Sequence, residues 1–221
     1  MARGRPAPRR LTATLVLAVA AAASLAGCGA DSGAHQKPVA IRKGDTCAVC
    51  GMYIAKYAGP RGEAYVSGYS TPLKFGSTRD FFAYVTQPDE KRNLESVFVQ
   101  DTARIDWAHP SNLPNSFTDA RKAYYVAWQP LPGAMGPTFA SFAKRSDAEA
   151  FIKAHGGRLL RYGDVTPEVV SSLSYHCPAA GSPVGAVAKG CVKKAAPAGA
   201  HDPRTQARMP GMAGTMEASK L

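Results

Sequence analysis

Two thiols three positions apart open the segment Cys-Ala-Val-Cys-Gly-Met at residues 47–52, and a thioether closes it. A further methionine, Met135, lies in Leu-Pro-Gly-Ala-Met-Gly-Pro, where the glycines and prolines indicate a loop. Thiolate and thioether sulfurs are the soft ligands that Cu(I) prefers, and a thioether has no proton to lose. Cys47, Cys50, Met52 and Met135 are therefore candidate ligands of a Cu(I) site.

The same residues allow other interpretations. A redox-active C-x-x-C pair usually begins a long helix, which lowers the thiol pKa. Here Gly51 follows Cys50 at once, and Gly-Pro at residues 59–60 soon ends any helix. A thiol-disulfide oxidoreductase using Cys47 and Cys50 is the alternative function. An inert disulfide stays open for the pair, and a place in the core stays open for Met52.

Zinc and enzymatic chemistry have less support. A closed zinc site needs four ligands, usually as two spaced pairs, and His176 and Cys177 would have to form the second pair although they are adjacent. His109 is a lone histidine, expected in solvent. Asp80 and Asp147 lie at predicted helix starts, which explains an acid without a chemical role. No Ser-His-Asp set or phosphate-binding glycine loop is visible, so we predict that the chain is not an enzyme.

The N-terminal residues predict export. Four arginines and no acid precede an apolar run at 11–26 that is shorter than the ~20 residues of a spanning helix. Residues 25–28 read Leu-Ala-Gly-Cys, similar to a bacterial lipobox, which implies a lipid on Cys28. Ordinary signal cleavage, with Cys28 incidental, is the alternative. We therefore predict a lipoprotein signal peptide at 1–27 and a flexible tether at 28–44 that joins the lipid to the folded domain.

The chain is basic, with a formal net charge of +11. Removing residues 1–27 takes away four arginines and lowers this charge to +7. The remaining lysines and arginines are scattered, and an exported protein meets little nucleic acid. We expect contact with anionic lipid or an acidic partner, and no nucleic acid.

Composition divides the rest of the chain in two. Residues 45–177 have the regularly spaced aromatics of a folded domain, whereas 178–221 are rich in Ala, Gly and Pro and contain no aromatic residue. We predict that this second segment is a disordered tail. Within the domain, β-branched and aromatic residues predict strands at 63–69, 96–101, 123–128, 138–142 and 158–165.

Three helix starts are also predicted. A capping box from Ser146 to Glu149 opens a helix that ends at the glycines of 156–157. Ser77 begins a similar helix at 77–85, and a third begins at Thr166, with proline in its first position.

The first two helices belong to an internal repeat. Residues recur at an offset of 67 positions, and each helix follows a short strand and an earlier strand that contains Tyr-Val, at 65–66 or 125–126. The matched pairs are Phe75 and Phe142, Asp80 and Asp147, Ala83 and Ala150, Tyr84 and Phe151, and Val85 and Ile152. Two ββα-like units in an α+β fold explain the pattern, although amphipathic helices can also match by chance.

Five segments, taken in order, resemble the NosL family of copper lipoproteins over residues 28–176. They are the Cys28 lipobox, CAVCGM, KFGSTRDFFAY, AYYVAW, and AMGPTFASFAKRSDAEAFIKAHGGRLLRYGDV. The resemblance implies Cys50, Met52 and Met135 as the sulfur ligands of Cu(I), with Cys47 as a helper. It also implies a fold similar to part of the organomercurial lyase.

The resemblance further implies a location and partners. Members are lipid-anchored in the bacterial envelope, face the periplasm, and carry Cu(I) to nitrous oxide reductase with a membrane ABC-type maturation complex. The tail lies outside the resemblance, so His201, Met209, Met212 and Met216 take no role from it. Their spacing suits a loose copper-gathering arm, but we expect an unstructured, solubilising tail.

Overall fold

The computed structural model describes Met1 and residues 36–194. The predicted signal peptide beyond Met1, the lipidation site Cys28 and the methionines of the tail lie outside the described residues. Within the described part of the chain, no helix has the length and apolar character needed to cross a membrane.

The first unit is a four-stranded antiparallel sheet with one main helix. Its elements are β1 (Gly62–Val66), β2 (Leu73–Phe75), α1 (Thr78–Val85), the short α2 (Pro88–Lys91), β3 (Leu94–Gln100) and β4 (Phe117–Asp119). The strand order is β2-β1-β3-β4. Short 3-10 turns lie at Ile54–Lys56, Thr102–Arg104 and Pro114–Ser116. The side chain of Ser77 accepts from the N–H of Asp80, so the predicted start of α1 is confirmed.

The second unit repeats this plan with three strands. Its elements are β5 (Tyr124–Ala127), β6 (Pro132–Gly133), β7 (Gly136–Pro137), β8 (Ala140–Phe142), α3 (Arg145–His155), β9 (Arg158–Arg161), a 3-10 turn (Tyr162–Asp164) and α4 (Pro167–Ser171). The sheet order is β8-β5-β9, while β6 and β7 form a separate hairpin. Thr166 caps α4 by accepting from the N–H of Val169, as predicted.

The structure supports the repeat and corrects its details. β2 and β8 begin at residues 73 and 140, and α1 and α3 at 78 and 145, so both pairs keep the offset of 67. Glu63 pairs with Lys74 and Tyr125 with Ser141, which makes Glu63 the counterpart of Tyr125. The predicted match of Tyr65 to Tyr125 is wrong by two residues. A shift of two keeps each side chain on the same face, so alternation alone could not reveal it.

In each unit the strand that follows the helix belongs to the same sheet, which the predicted ββα unit did not include. After its helix the chain returns to the sheet, and β3 and β9 pair with β1 and β5 on the side opposite β2 and β8. The unit is therefore ββαβ rather than ββα. The strands themselves were predicted, but their place in each sheet depends on long-range pairing that a local pattern does not contain.

The predicted capping box at the start of α3 does not form. The helix begins at Arg145, and its N-cap residue Lys144 makes no side-chain cap. Ser146 thus lies inside the first turn, and Glu149 instead pairs with Arg145 at 2.7 Å. At the other end Gly156 adopts a φ of 83°, which confirms the predicted stop.

The folded domain is longer than 45–177 at both ends. Cys177 and Cys191 form a disulfide, Val184 and Ala188 are buried in the main core, and Gly157 bridges to Val192. The prediction of a disordered tail from 178 is thus wrong as far as residue 194, because a cross-link and small apolar contacts offset the ordering entropy.

The predicted tether at 28–44 is likewise packed from residue 36 onwards. Ile41 is buried, and its N–H donates to the Asn112 carbonyl at 2.9 Å. The N–H of Val39 donates to the Glu63 carboxylate at 3.0 Å. These bonds are made to the folded first unit, which composition alone could not predict.

One core joins the two units. The ring of Phe82 on α1 lies 4.8 Å from that of Tyr125 on β5 and 5.1 Å from that of Phe139, measured between centroids. All three side chains are fully buried. This shared aromatic contact holds α1 against the second unit.

Candidate metal centre

The thiol segment forms a closed loop before β1. The N–H of Cys47 donates to the Met52 carbonyl and the N–H of Gly51 donates to the Cys47 carbonyl, both at 2.9 Å. Gly51 has a φ of 72°, a conformation that favours glycine. The N–H of Ala48 donates to the Lys74 carbonyl at 2.8 Å and so attaches the loop to β2.

Both thiols converge on one carboxylate oxygen. Sγ of Cys47 lies 3.4 Å and Sγ of Cys50 lies 3.6 Å from Oδ2 of Asp80. The three potential ligand atoms lie within 4.8 Å of one another, so Cys47, Cys50 and Asp80 could hold a metal ion. Cys47 and Asp80 are buried, whereas Cys50 is only partly buried, so the cluster meets solvent at Cys50.

Sequence reasoning missed Asp80. Its backbone N–H donates to the Ser77 cap at the start of α1, where a helix start was predicted. Its side-chain carboxylate, however, accepts a hydrogen bond from the Cys47 thiol. Asp80 follows Cys47 by 33 positions and Cys50 by 30, and no short sequence motif spans such separations. Only the position of α1 against the thiol loop brings the carboxylate into the cluster.

Burial controls the protonation of the inner thiol. It raises the pKa of Cys47 to about 11, and the negative charge of Asp80 adds to this effect. Hydrogen bonds from the N–H groups of Gly76, Cys50 and Val49 to the sulfur oppose it. Cys47 is therefore a protonated thiol at neutral pH that donates to Asp80, and a bound metal ion must displace its proton.

The hairpin that contains Met135 is fastened to the first turn of α1. The Arg79 guanidinium donates to the Met135 carbonyl at 3.0 Å, and the Arg79 N–H donates to Oγ1 of Thr138 at 3.2 Å. Both bonds join a residue adjacent to Asp80 with the second unit.

The hairpin also reaches the thiol loop itself. A Cβ placed on Gly76 would lie 3.6 Å from Cβ of Ala134 and 3.7 Å from Cβ of Cys47. Ala134 and Met135 form the turn between β6 and β7. The structure therefore brings the thiol loop of the first unit and the methionine hairpin of the second unit to the same place.

The surroundings of the cluster are apolar and open. Met135 is 48% exposed, and Val49 and Tyr53 are 47% and 50% exposed. Met52 is partly buried. Exposure of Met135 excludes a core role for its side chain. Val49 and Tyr53, which neighbour Cys50 in the chain, form an apolar rim on the thiol loop.

The structure also bears on the zinc and redox interpretations. Cys177 is in a disulfide, which removes it as the second half of a zinc site with Cys47 and Cys50. His109 is exposed, and its backbone N–H donates to the Asp106 side chain at 3.2 Å. Cys47 and Cys50 are free thiols, and only a three-residue 3-10 turn follows them, in place of the long helix typical of redox pairs.

Comparison with known proteins identifies the family. The NosL family model matches residues 38–170. The copper-binding lipoprotein NosL of Stutzerimonas stutzeri is 38% identical over 158 residues, which cover 71% of this chain and 81% of that protein. The protein of the same name from Achromobacter cycloclastes is 30% identical over 158 residues, with coverage of 70% and 81%.

A solved structure agrees with this assignment. The crystal structure of the copper chaperone NosL from Shewanella denitrificans superposes with a TM-score of 0.56 at 38% identity. The match covers 58% of this chain and 94% of that structure. On its sequence and its fold, this chain belongs to the NosL family.

Proposed function

We propose that this chain is a copper carrier, anchored by a lipid on Cys28 in the bacterial envelope, which delivers Cu(I) for maturation of nitrous oxide reductase. The observation that best supports it is the cluster of the Cys47 and Cys50 thiols with Asp80, in a loop that lies close to the turn of the Met135 hairpin. Copper is cargo in this proposal, and the protein makes or breaks no bond in its acceptor.

The ligand types favour the cuprous ion. Two thiolates and the thioethers of Met52 and Met135 form a soft ligand set, which suits Cu(I) better than hard cations such as Mg²⁺. Asp80 is a hard ligand, and we assign it a supporting role. It receives both thiol hydrogen bonds and thereby orients the sulfurs, as outer-shell carboxylates do in other metal sites.

The exposure of the site suits transfer rather than storage. Cys50 is partly buried and Met135 is half exposed, so a ligand of an acceptor can approach the metal from solvent. An incoming sulfur or imidazole can then bind before Cys50 or Met135 leaves. The apolar rim of Val49 and Tyr53 allows close approach of a second protein.

The location and partners in this proposal are supported by family membership and by the N-terminal sequence. The relatives are named copper-binding lipoproteins and a copper chaperone. Residues 25–28 provide the lipobox-like Leu-Ala-Gly-Cys. We infer that the protein faces the periplasm and acts with the ABC-type complex that matures nitrous oxide reductase.

A complementation experiment tests this function. The full chain and its Cys50→Ser and Cys28→Ser variants are expressed in a nitrous-oxide-respiring bacterium that lacks its own NosL. We expect the wild-type chain to restore the copper-sulfur centre of nitrous oxide reductase, measured by its absorption spectrum. Cys50→Ser should restore none, and Cys28→Ser should release the protein from membranes. A Cys50→Ser variant as effective as wild type would contradict the proposal.

The two free thiols support a second candidate function, that of a thiol-disulfide oxidoreductase. Redox chemistry needs both cysteines and neither methionine. Under that hypothesis Met52→Leu with Met135→Leu leaves function intact. Under the carrier proposal the same variant loses function in the complementation experiment.

A further inference from the structure

A cavity lies beside the second unit, apart from the residues of the thiol cluster. Its volume is about 220 Å³, and it is bounded by the C-terminal end of α3, by residues after β5 and by the segment following the Cys177–Cys191 disulfide. The lining residues that matter here are Trp128, His155, His176, Lys193 and Lys194. Neither the predicted copper ligands nor Asp80 belong to this lining.

The lining is strongly basic. It contains two lysines and two histidines, and none of the described residues that line it is acidic. Burial lowers the pKa of His155, and the charge of Lys194 lowers it further. His155 therefore presents a neutral imidazole beside an ammonium group at neutral pH, and the cavity has a positive potential without a carboxylate in its described lining.

The walls of the cavity are held in place. The N–H of Gly157 donates to the Val192 carbonyl at 2.8 Å, and the N–H of Val192 donates back at 2.9 Å. Gly156 permits this approach, since a Cβ there would lie 2.6 Å from the Val192 carbonyl oxygen. The disulfide between Cys177 and Cys191 closes the same segment covalently.

Trp128 forms another fixed wall. It is 2% exposed, and its Nε1–H donates to the Ser172 carbonyl at 3.2 Å. Its φ of 55° makes it the single non-glycine residue with positive φ among the described residues. Such strain persists where surrounding contacts over-determine the backbone, often at binding sites.

We propose that this cavity binds a phosphate-class oxyanion, with Lys193 and Lys194 supplying charge and His155 supplying a hydrogen bond. Lysines near the end of α3 also complement the helix dipole, which accounts for their charge but not for a walled cavity. The volume is below the ~300–1,000 Å³ of pockets for drug-sized ligands, so the anion must be compact.

Two sources can supply this chemistry. One is free inorganic phosphate, and the other is the phosphate of a membrane lipid headgroup. Binding a headgroup would orient the domain on the membrane, and that source alone rests on the proposed lipid anchor at Cys28. The oxyanion site itself is independent of the copper proposal.

The test uses the chain from residue 29 to 221, produced without lipid, and titrates it with inorganic phosphate while NMR follows the His155 imidazole and the Trp128 indole. We expect a saturable shift of both signals and a rise in the pKa of His155. The negative charge of a bound anion favours the protonated imidazole and so offsets the lowering of this pKa by Lys194. Lys193→Gln with Lys194→Gln should weaken phosphate binding by at least about tenfold. Lys153→Gln, also near the end of α3 but outside the cavity, is the matched control.

A second arm uses flotation with vesicles of phosphatidylglycerol or of phosphatidylcholine. Lysine-dependent binding to phosphatidylglycerol vesicles supports the lipid source, and saturable binding of phosphate alone supports the free anion. Lys193 and Lys194 are exposed, so the double variant should fold, and unchanged Cu(I) affinity verifies this. Absence of saturation in both arms, or equal binding by the double variant and Lys153→Gln, would overturn the proposal.

Discussion

The two units use one pair of equivalent residues differently, Asp80 on α1 and Asp147 on α3. Asp80 is 5% exposed and accepts hydrogen bonds from both thiols. Asp147 is partly exposed and accepts from the Ser146 hydroxyl at 3.2 Å. The helices occupy the same place in each unit, so the fold alone does not determine what the acid does. Its neighbours do.

Those neighbours lie in segments that are not shared between the units. The thiol loop precedes β1, and the β6–β7 hairpin lies between β5 and β8, where the first unit has only residues 67–72. Each unit thus adds one segment to the same edge of the molecule. We infer that duplication supplied the scaffold and that these two additions supplied the chemistry.

Removal of both thiols of the first unit should give the largest effect. For Cys47→Ser with Cys50→Ser we expect Cu(I) affinity to fall by more than about a hundredfold. Loss of the ligands themselves should exceed the effect of changing an outer-shell residue, which is at most about a hundredfold. Competition with a Cu(I) chelator under anaerobic conditions measures it. Retained affinity would mean that the metal binds elsewhere in the chain.

The disulfide should affect stability and leave copper binding intact. Cys177→Ala with Cys191→Ala opens a loop with a sequence separation of 14, and we expect a loss of about 3 kcal/mol in the free energy of unfolding. Urea denaturation of the copper-free protein measures it. A concurrent fall in Cu(I) affinity would contradict the division of roles between the two cysteine pairs.

Glu63 should make the stability of the fold depend on pH, which its counterpart in the second unit, Tyr125, should not. Burial raises the pKa of Glu63 from 4.5 to about 7, and the carboxyl stabilises the fold fully only below its unfolded pKa. Wild-type stability should therefore fall by roughly 2–3 kcal/mol as pH rises from 4.5 through 7. Glu63→Gln should flatten this slope in urea denaturation. A slope equal to wild type would show that another group causes it.

The paired substitutions Asp80→Asn and Asp147→Asn test the difference between the two equivalent acids directly. We expect Asp80→Asn to weaken Cu(I) binding by about 10–100-fold, as for other carboxylates that orient metal ligands. Asp147→Asn should leave the affinity unchanged, since Asp147 has no contact with the thiols among the described hydrogen bonds. Equal effects of the two changes would remove the proposed role of Asp80.

Local signals predicted much of this fold. Ser77 and Thr166 cap helices as expected, and Gly156 ends one, because each acts on backbone within a few residues. The capping box at Ser146 was wrong because the helix begins at Arg145. A capping sequence does not distinguish reliably between starts two residues apart.

The long-range features were harder to predict. Asp80 joins the thiols through packing of α1, and no spacing in the sequence encodes that contact. Residues 178–194 look disordered by composition, yet the bond between Cys177 and Cys191 holds them. The candidate sulfurs were visible because their chemistry is rare. The approach of the thiol loop to the Met135 hairpin depends on how the two units pack, which the sequence does not encode.

The most direct test is a Cu(I) titration of the reduced chain from residue 29 to 221, carried out anaerobically against a competing chelator. We expect one tightly bound Cu(I) per chain, and affinity reduced about tenfold or more in Met52→Leu with Met135→Leu. Weak binding by wild type, or affinity indifferent to both methionines, would contradict a carrier site shared between the thiol loop and the hairpin.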